Sequence, residues 1–588
     1  MHFYWHFQNN NVNNINIKVL QDGGSPLHHD GFIIENIRPH DKIVQIDSYS
    51  SSLYLIGDPI FQVSKKDIET YVENENIKDI ICNVDGFYFL LLLNKKESRT
   101  IIASSFLNIL PIYYANIDNT TIVSSSFDSI IKELSNKKTT TDNQYYLEKA
   151  LFNYPFLDRT PISEIKTLDS NASIYLDSHF SIKKHLNVYD YFVKNPRSWR
   201  RSLDIISEVF IHNAKSFIPD NNFCVTLTGG LDGRTLVGLA LSQNKSFYTY
   251  SYGNSNTPDI NIPNLISKSI GLQYRPFLIK TNYAKDYFWE YGNDFVLKTF
   301  GLGNISRSHY AYAANIILND INYLVSGNFG SEIIRAMKVV GVMTSQMLFD
   351  VFRSHDISTL KTNINNNQTL KFINKELIYN NIESLVEDIY SFKRKLPVEL
   401  TVNQQFYVYL YEHVFPKYFG PEITYQRQFF NHRAPFLNFG FLKELLKTEI
   451  AGANSDFMET NPINRYHGQV LYSHIMKKTS PLLMNFMLDK NYRPKDFVTF
   501  FGPVKIAYGY IHKKLKNRKP LSSPLFSHTN IVNNRDIITQ TPINSSLFNN
   551  AIFNKIIESN FIGDESDFIN NFSAVLYNNY LNDKFGVQ

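Results

Sequence analysis

The sequence predicts a mixed α/β and α+β protein, in which a β-rich amino-terminal domain precedes a doubly wound parallel-sheet domain and a helical carboxy-terminal part. Three observations predict it. Short β-branched and aromatic runs, separated by polar turns, fill the chain to about Asp128. Beyond a polar stretch from Tyr189 to Arg201, strand-like and helix-like segments alternate. From about Val340 onward, apolar residues recur at helical spacing. The expected units are residues 1–190, 191–515 and 516–588.

The β-rich unit rests on the runs Ile80–Val84, Phe87–Leu93, Thr100–Ser104, Ile112–Ala115 and Thr121–Ser125, joined later by Ala172–Leu176. Asn195-Pro196-Arg197 marks the linker. After it, Leu203–Phe217 has the spacing of a helix, Phe223–Thr228 reads as a strand and Arg234–Ser242 as a helix. Ser246–Ser251 and Ile262–Ile270 repeat that pattern, and Tyr323–Ser326 is a third strand running into Glu332–Met337. The Asn-rich break at Asn363–Asn367 reads as a surface loop.

Composition excludes several classes. With 43% hydrophobic residues, among them 45 Phe and 37 Tyr, the chain can bury large cores and is not a disordered polymer. Lys and Arg number 59 against 54 Asp and Glu, and an excess of +5 on 588 residues implies neither a nucleic-acid nor a membrane surface. Cys82 and Cys224 are the only cysteines, which excludes a disulfide framework or a cysteine-rich zinc site and fits a reducing compartment. Met1–Phe7 lacks the basic and apolar regions of a signal peptide, and the longest apolar run, Phe87–Leu93, is far shorter than the roughly 20 residues of a membrane span. A soluble cytoplasmic protein is expected. His28-His29 reads as an exposed loop, and Trp199 among Arg197, Arg200 and Arg201 as a charge cluster at a helix start.

The segment that carries chemistry is Phe223-Cys224-Val225-Thr226-Leu227-Thr228-Gly229-Gly230-Leu231-Asp232-Gly233-Arg234-Thr235. A buried strand enters a glycine-rich turn that opens a helix, and backbone N–H groups beside the positive helix end bind phosphate. The Walker spacing is absent. Taken alone, a tight strand-to-helix turn explains the paired glycines as well as a phosphate cradle does.

Other segments extend the reading. Thr228-Gly229-Gly230-Leu231-Asp232-Gly233 resembles the S-G-G-x-D-S pyrophosphate loop of the asparagine synthetase family. Thr249–Gly253 with Pro258-Asp259-Ile260 and Ile270-Gly271-Leu272 resembles that family's second strand and helix. Ser326-Gly327-Asn328-Phe329-Gly330-Ser331-Glu332 resembles its S-G-E-G-[SA]-D-E, and Arg433-Ala434-Pro435-Phe436-Leu437-Asn438 its R-x-P-F-L-D. Upstream, Asp85–Phe89, Ala103–Tyr114, Ser124–Ser126 and Ile165–Leu168 look like the class II glutamine amidotransferase domain that precedes the synthetase domain. The likeness runs to about residue 510. It implies an Ntn-type sandwich followed by an ATP-pyrophosphatase domain, and its relatives include β-lactam synthetase and lasso peptide cyclase.

The departures are as specific as the matches. The family's amidotransferase nucleophile is a cysteine exposed once Met is removed, and position 2 here is His2. Ser104-Ser105-Phe106-Leu107-Asn108 replaces the family's R-D-x-x-G, so the amino-terminal domain is expected to be degenerate and without glutaminase activity. In the synthetase half the resemblance implies that Leu227 and Thr249 flank an adenine through backbone contacts, Ser326 and Gly327 complete the nucleotide site, and Thr228, Gly229, Gly230 and Gly233 cradle pyrophosphate. Asp232 and Glu332 would hold Mg2+, and Lys490 or Lys495 would contact phosphate. The family's loop glutamate is Asn328 here and a metal-ligand aspartate is Ser331.

The resemblance thus implies an ATP-dependent, AMP-forming carbon–nitrogen ligase, as in asparagine biosynthesis, using ATP and Mg2+ with Asp232, Glu332 and Lys490 as catalytic groups. Its substrates would be a small-molecule or peptide carboxylate and ammonia or an amine, with no nucleic acid or membrane partner and a homodimer as the candidate assembly. The alternative is an impaired member that binds a nucleotide or a partner without turnover.

Overall fold

The computed structural model describes residues 2–8, 16–21, 24–27, 31–37, 42–117, 120–134, 139–177, 179–279, 282–338, 340–341, 343–461, 466–516, 528–559, 561 and 565–587, with backbone alone for the strands before Lys42. His28 and His29 lie outside the described residues, and His2 is placed by its backbone in the first strand.

The first half carries β1 (His2–Gln8), β2 (Asn16–Gln21), β3 (Gly24–Leu27), β4 (Gly31–Ile37), β5 (Lys42–Asp47), β6 (Ser51–Phe61), β7 (Val84–Asn94), β8 (Arg99–Ser104), β9 (Tyr113–Ile117), β10 (Thr120–Ser124), β11 (Lys166–Thr167), β12 (Ala172–Leu176) and β13 (Phe180–Lys184). They form a seven-stranded sheet, β11-β9-β10-β1-β4-β2-β3, and a six-stranded antiparallel sheet, β13-β12-β8-β7-β6-β5. β6 and β7 pair from Ser51↔Asn94 to Phe61↔Val84. Phe87–Leu93 is buried throughout, which is why its hydrophobic run is continuous rather than alternating.

One expected strand is a helix instead. Ile80–Val84 belongs mostly to the helix Ile77–Asn83, whose Asn76 side chain caps the N–H of Asp79 and which buries Ile77, Ile80 and Ile81. A short apolar run fits a buried helix turn as well as a strand, and here the cap decides.

The second half contains a parallel sheet built from β14 (Phe223–Thr226), β15 (Tyr248–Gly253), β16 (Gln273–Leu278), β17 (Tyr323–Val325) and β18 (Asn431–Arg433) in the order β16-β15-β14-β17-β18. The chain winds outward from β14 in one direction to β16, then returns to the other side of β14 for β17 and β18. Helix Asp232–Ser242 follows β14, and helix Pro258–Ile270 follows β15 with Pro258 in its first turn and Gly271 in the left-handed conformation at its end. Sequence reading missed β16 and β18 because Gln273, Arg275 and Pro276 interrupt one and the other is the polar triplet Asn431-His432-Arg433.

Helices dominate the rest. The last long helix, Glu565–Phe585, packs against helices Asn143–Phe152 and Phe288–Lys298 from much earlier in the chain. Among the described residues no helix is long and apolar enough to cross a membrane.

Candidate functional site

In an open parallel sheet, the loops leaving adjacent strands diverge where the strand order reverses, and a crevice opens at their carboxyl ends. Here that point lies between β14 and β17. The loop after β14, 227–231, and the loop after β17, 326–329, therefore face each other.

Close packing ties these loops together. A Cβ at Gly233 would lie 2.1 Å from the Thr226 carbonyl oxygen, and one at Gly327 would lie 2.7 Å from the Asp232 Cβ. Only the absence of a side chain allows either approach. The Gly327 N–H donates to Thr226 Oγ1 at 3.2 Å, and the Leu227 N–H to the Tyr250 carbonyl at 2.8 Å.

A solvent-open cleft of about 220 Å3 lies at these loops. Thr228, Gly230, Asp232, Arg335, Tyr472 and Lys490 line it. The Gly230 N–H turns inward to Thr228 Oγ1 at 3.3 Å, and the Gly229 N–H donates to the Asp259 carboxylate at 3.0 Å. A carboxylate thus takes a donor that would otherwise face an incoming anion.

Across the cleft, Arg234 is fully buried and donates to the carbonyls of Phe486 and Met487 at 2.8 and 3.0 Å. The Asp489 N–H donates to the Gly229 carbonyl at 3.2 Å. These bonds pin the segment that carries Lys490 against the glycine loop. Of the two candidate lysines, Lys490 lines the cleft, whereas Lys495 donates to Asn485 at 3.0 Å.

Asp232 sits in the first turn of its helix, where the helix dipole favours a carboxylate. Tyr472 donates to its Oδ1 and Ser331 to its Oδ2, the latter at 2.9 Å, and the Arg335 guanidinium donates in turn to Ser331 Oγ. Burial, reinforced by Asp232, pushes the Glu332 carboxyl up to about 7. The Asp232–Glu332 pair does not fit the magnesium site that the resemblance implies. Both Asp232 oxygens already accept from hydroxyls, and the guanidinium of Arg335, bonded to one of those hydroxyls, stands beside them as a competing cation.

The side-chain hydroxyls of Ser326 and Thr249 are both engaged within the protein. Ser326 Oγ lies 2.6 Å from His432 Nε2, and His432 Nδ1 lies 2.6 Å from Gln426 Oε1. An amide oxygen only accepts, so Nδ1 carries the proton and Ser326 donates to Nε2. Burial keeps this imidazole neutral, its pKa lowered to about 3. Thr249 is buried within the sheet, its hydroxyl bound to Ser267 and to the Gln273 carbonyl. The carboxyl end of β15 instead presents Tyr252, whose ring centroid lies 4.5 Å from that of His309. The alternation Tyr250, Tyr252 was visible in the sequence, but which residue reaches the strand end depends on register.

The sequence reading also missed Glu422. The Asn328 amide donates to this carboxylate at 3.5 Å, and Arg307 pairs with it at 3.1 Å. Burial raises its pKa against the opposing pull of Arg307. Away from the cleft, Arg197 pairs with Glu444 at 3.2 Å and Trp199 stacks on His467 at 4.5 Å.

No family model matches the chain, and no curated protein matches it. Among solved structures, glutamine phosphoribosylpyrophosphate amidotransferase from B. subtilis, complexed with ADP and GMP, matches at 8% identity and a TM-score of 0.17. The match takes in 47% of this chain and spans 65% of the length of that one. At that TM-score the likeness carries no argument about fold or activity.

Proposed function

We propose that the protein is an asparagine synthetase-like, ATP-dependent amide ligase whose amidotransferase-like amino-terminal domain has no glutaminase activity. The reading rests on the glycine loop Thr228–Gly233 at the point where the parallel sheet reverses its order, with Lys490 and Arg335 lining the cleft beside it. In the proposed reaction a substrate carboxylate oxygen bonds to the α-phosphorus of ATP, the bond to the β-phosphate oxygen breaks, and pyrophosphate leaves beside the loop. An amine nitrogen then attacks the acyl carbon and AMP departs. The cationic side chains stabilise charge that develops on the leaving group. Asn328 cannot take the amine proton, and the buried Glu422 carboxylate, 3.5 Å from its amide, is the base this reading assigns.

Incubation with ATP and candidate carboxylates, aspartate with ammonia among them, should release pyrophosphate and AMP, and Asp232→Ala should abolish turnover. Asparagine as product identifies a synthetase, and AMP with another carboxylate identifies another amide ligase. With His2 in place of the cysteine nucleophile, glutamine should yield no glutamate above background.

A second reading, a nucleotide-binding module without turnover, is favoured by one observation. The Asp259 carboxylate occupies the Gly229 N–H inside the cradle. Nucleotide binding by calorimetry without pyrophosphate release from any carboxylate would select it.

A further inference from the structure

We propose that Arg335 is the resident cation of this cleft, so that the site binds the polyphosphate of its ligand without a divalent metal. The inference rests on the nucleotide-binding part of the reading above. Arg335 follows the short turn Gly330–Ile334 and lines the same cleft as Thr228, Gly230 and Lys490. Its guanidinium donates to Ser331 Oγ, Ser331 donates to Asp232 Oδ2 at 2.9 Å, and Tyr472 closes the chain on Oδ1. Ser331 therefore does what an aspartate at its position could not. It accepts from a cation and passes a hydrogen bond to a carboxylate without adding a second negative charge.

Charge argues the same way. Burial works against the charged guanidinium, and nearby negative charge, that of the Asp232 carboxylate foremost, more than offsets it. A doubly charged ion beside Asp232 would stand next to that guanidinium, and like charges a few ångströms apart in a partly buried cleft repel strongly. The donor set agrees, since Asp232 already accepts a hydroxyl proton on each of its carboxylate oxygens.

One donor is left over. The Nε of Arg335 is buried and has no hydrogen-bond partner. A buried charged donor without an acceptor is costly, and a phosphate oxygen satisfies it with the planar, charge-assisted geometry that guanidinium groups favour. Lys490 supplies a second cation in the lining of the same cleft. The ligand class is accordingly a pyrophosphate or a nucleoside polyphosphate taken up as the free anion.

The test is calorimetric titration of the full chain with inorganic pyrophosphate and with ATP, in EDTA and then in magnesium. The expected result is binding in EDTA that magnesium leaves unchanged or weakens, and a loss of about tenfold or more in affinity in Arg335→Ala. Arg335→Lys, which keeps the charge but not the fork, should fall between the two, and melting curves show whether each variant is folded. A double variant, Ser331→Asp with Arg335→Gly, should gain a magnesium requirement. Wild-type binding that appears only with magnesium overturns the inference and leaves the nucleotide reading intact, as does unchanged binding by folded Arg335→Ala. Absence of binding under both conditions overturns the nucleotide reading, and the inference with it.

Discussion

At Gly233 the helix after β14 begins so close to the strand that a methyl group would meet the Thr226 carbonyl oxygen at 2.1 Å and its carbon at 3.0 Å. Both are backbone atoms, so relief requires moving the helix. Gly233→Ala should destabilise the fold by about 2 kcal/mol, the usual scale of overpacking, and weaken pyrophosphate binding because Asp232 moves with the helix. Urea unfolding midpoints and calorimetry check both. Unaltered values would mean that the strand and helix can separate freely. The glycines of this loop were legible in the sequence because strand, turn and helix start are consecutive. Tyr472 was not, because it reaches Asp232 from a distant part of the chain, and Arg335, four residues after Ser331, lies just past the segment that carried the motif.

Among the elements, helix Asn143–Phe152 is buried at every position from Gln144 to Phe152. The helix carries Glu148 and Lys149, residue types seldom found fully buried unless paired. Lys149 donates to the Gly301 carbonyl, and burial lowers its pKa from the usual 10.5 to about 7. Between those two values the unfolded chain holds a proton that the folded chain has released, so stability rises with pH across the window, and below it the folded state bears the whole cost of a buried charge. Lys149→Met removes that linkage. Relative to the variant, the wild-type melting temperature should climb as pH rises from about 7 toward 10.5. Parallel melting curves across this range would show that Lys149 is not the group responsible.

At the scale of the whole molecule, the segment Arg433–Asn438 joins the two halves. Arg433 makes a two-point contact with Asp58 of β6, at 2.6 and 2.9 Å. Asn438 donates to Asp85 of β7, and the Phe439 N–H donates to the same carboxylate at 3.1 Å. The Asp58 and Arg433 side chains are only 2% and 8% exposed. Removing one partner strands a buried charge, so Arg433→Ala should cost about 4 kcal/mol, whereas the double change Asp58→Leu with Arg433→Met should recover most of it. Urea midpoints of the two variants test this. Equal losses would show that the ion pair does not couple the halves.

Sequence alone made legible a β-rich first part followed by alternating strands and helices, along with most strands of the second half and the glycine loop. These depend on short-range patterns of apolar residues and on the backbone freedom of glycine. Tertiary structure decided that Gln273–Leu278 and Asn431–Arg433 are strands. It also decided that Asp232 faces hydroxyls and a guanidinium rather than a cluster of carboxylates. The physical reason is common to all three. Burial, partner charge and strand pairing are supplied by residues far apart in the chain, and a local pattern carries no record of which of them will meet.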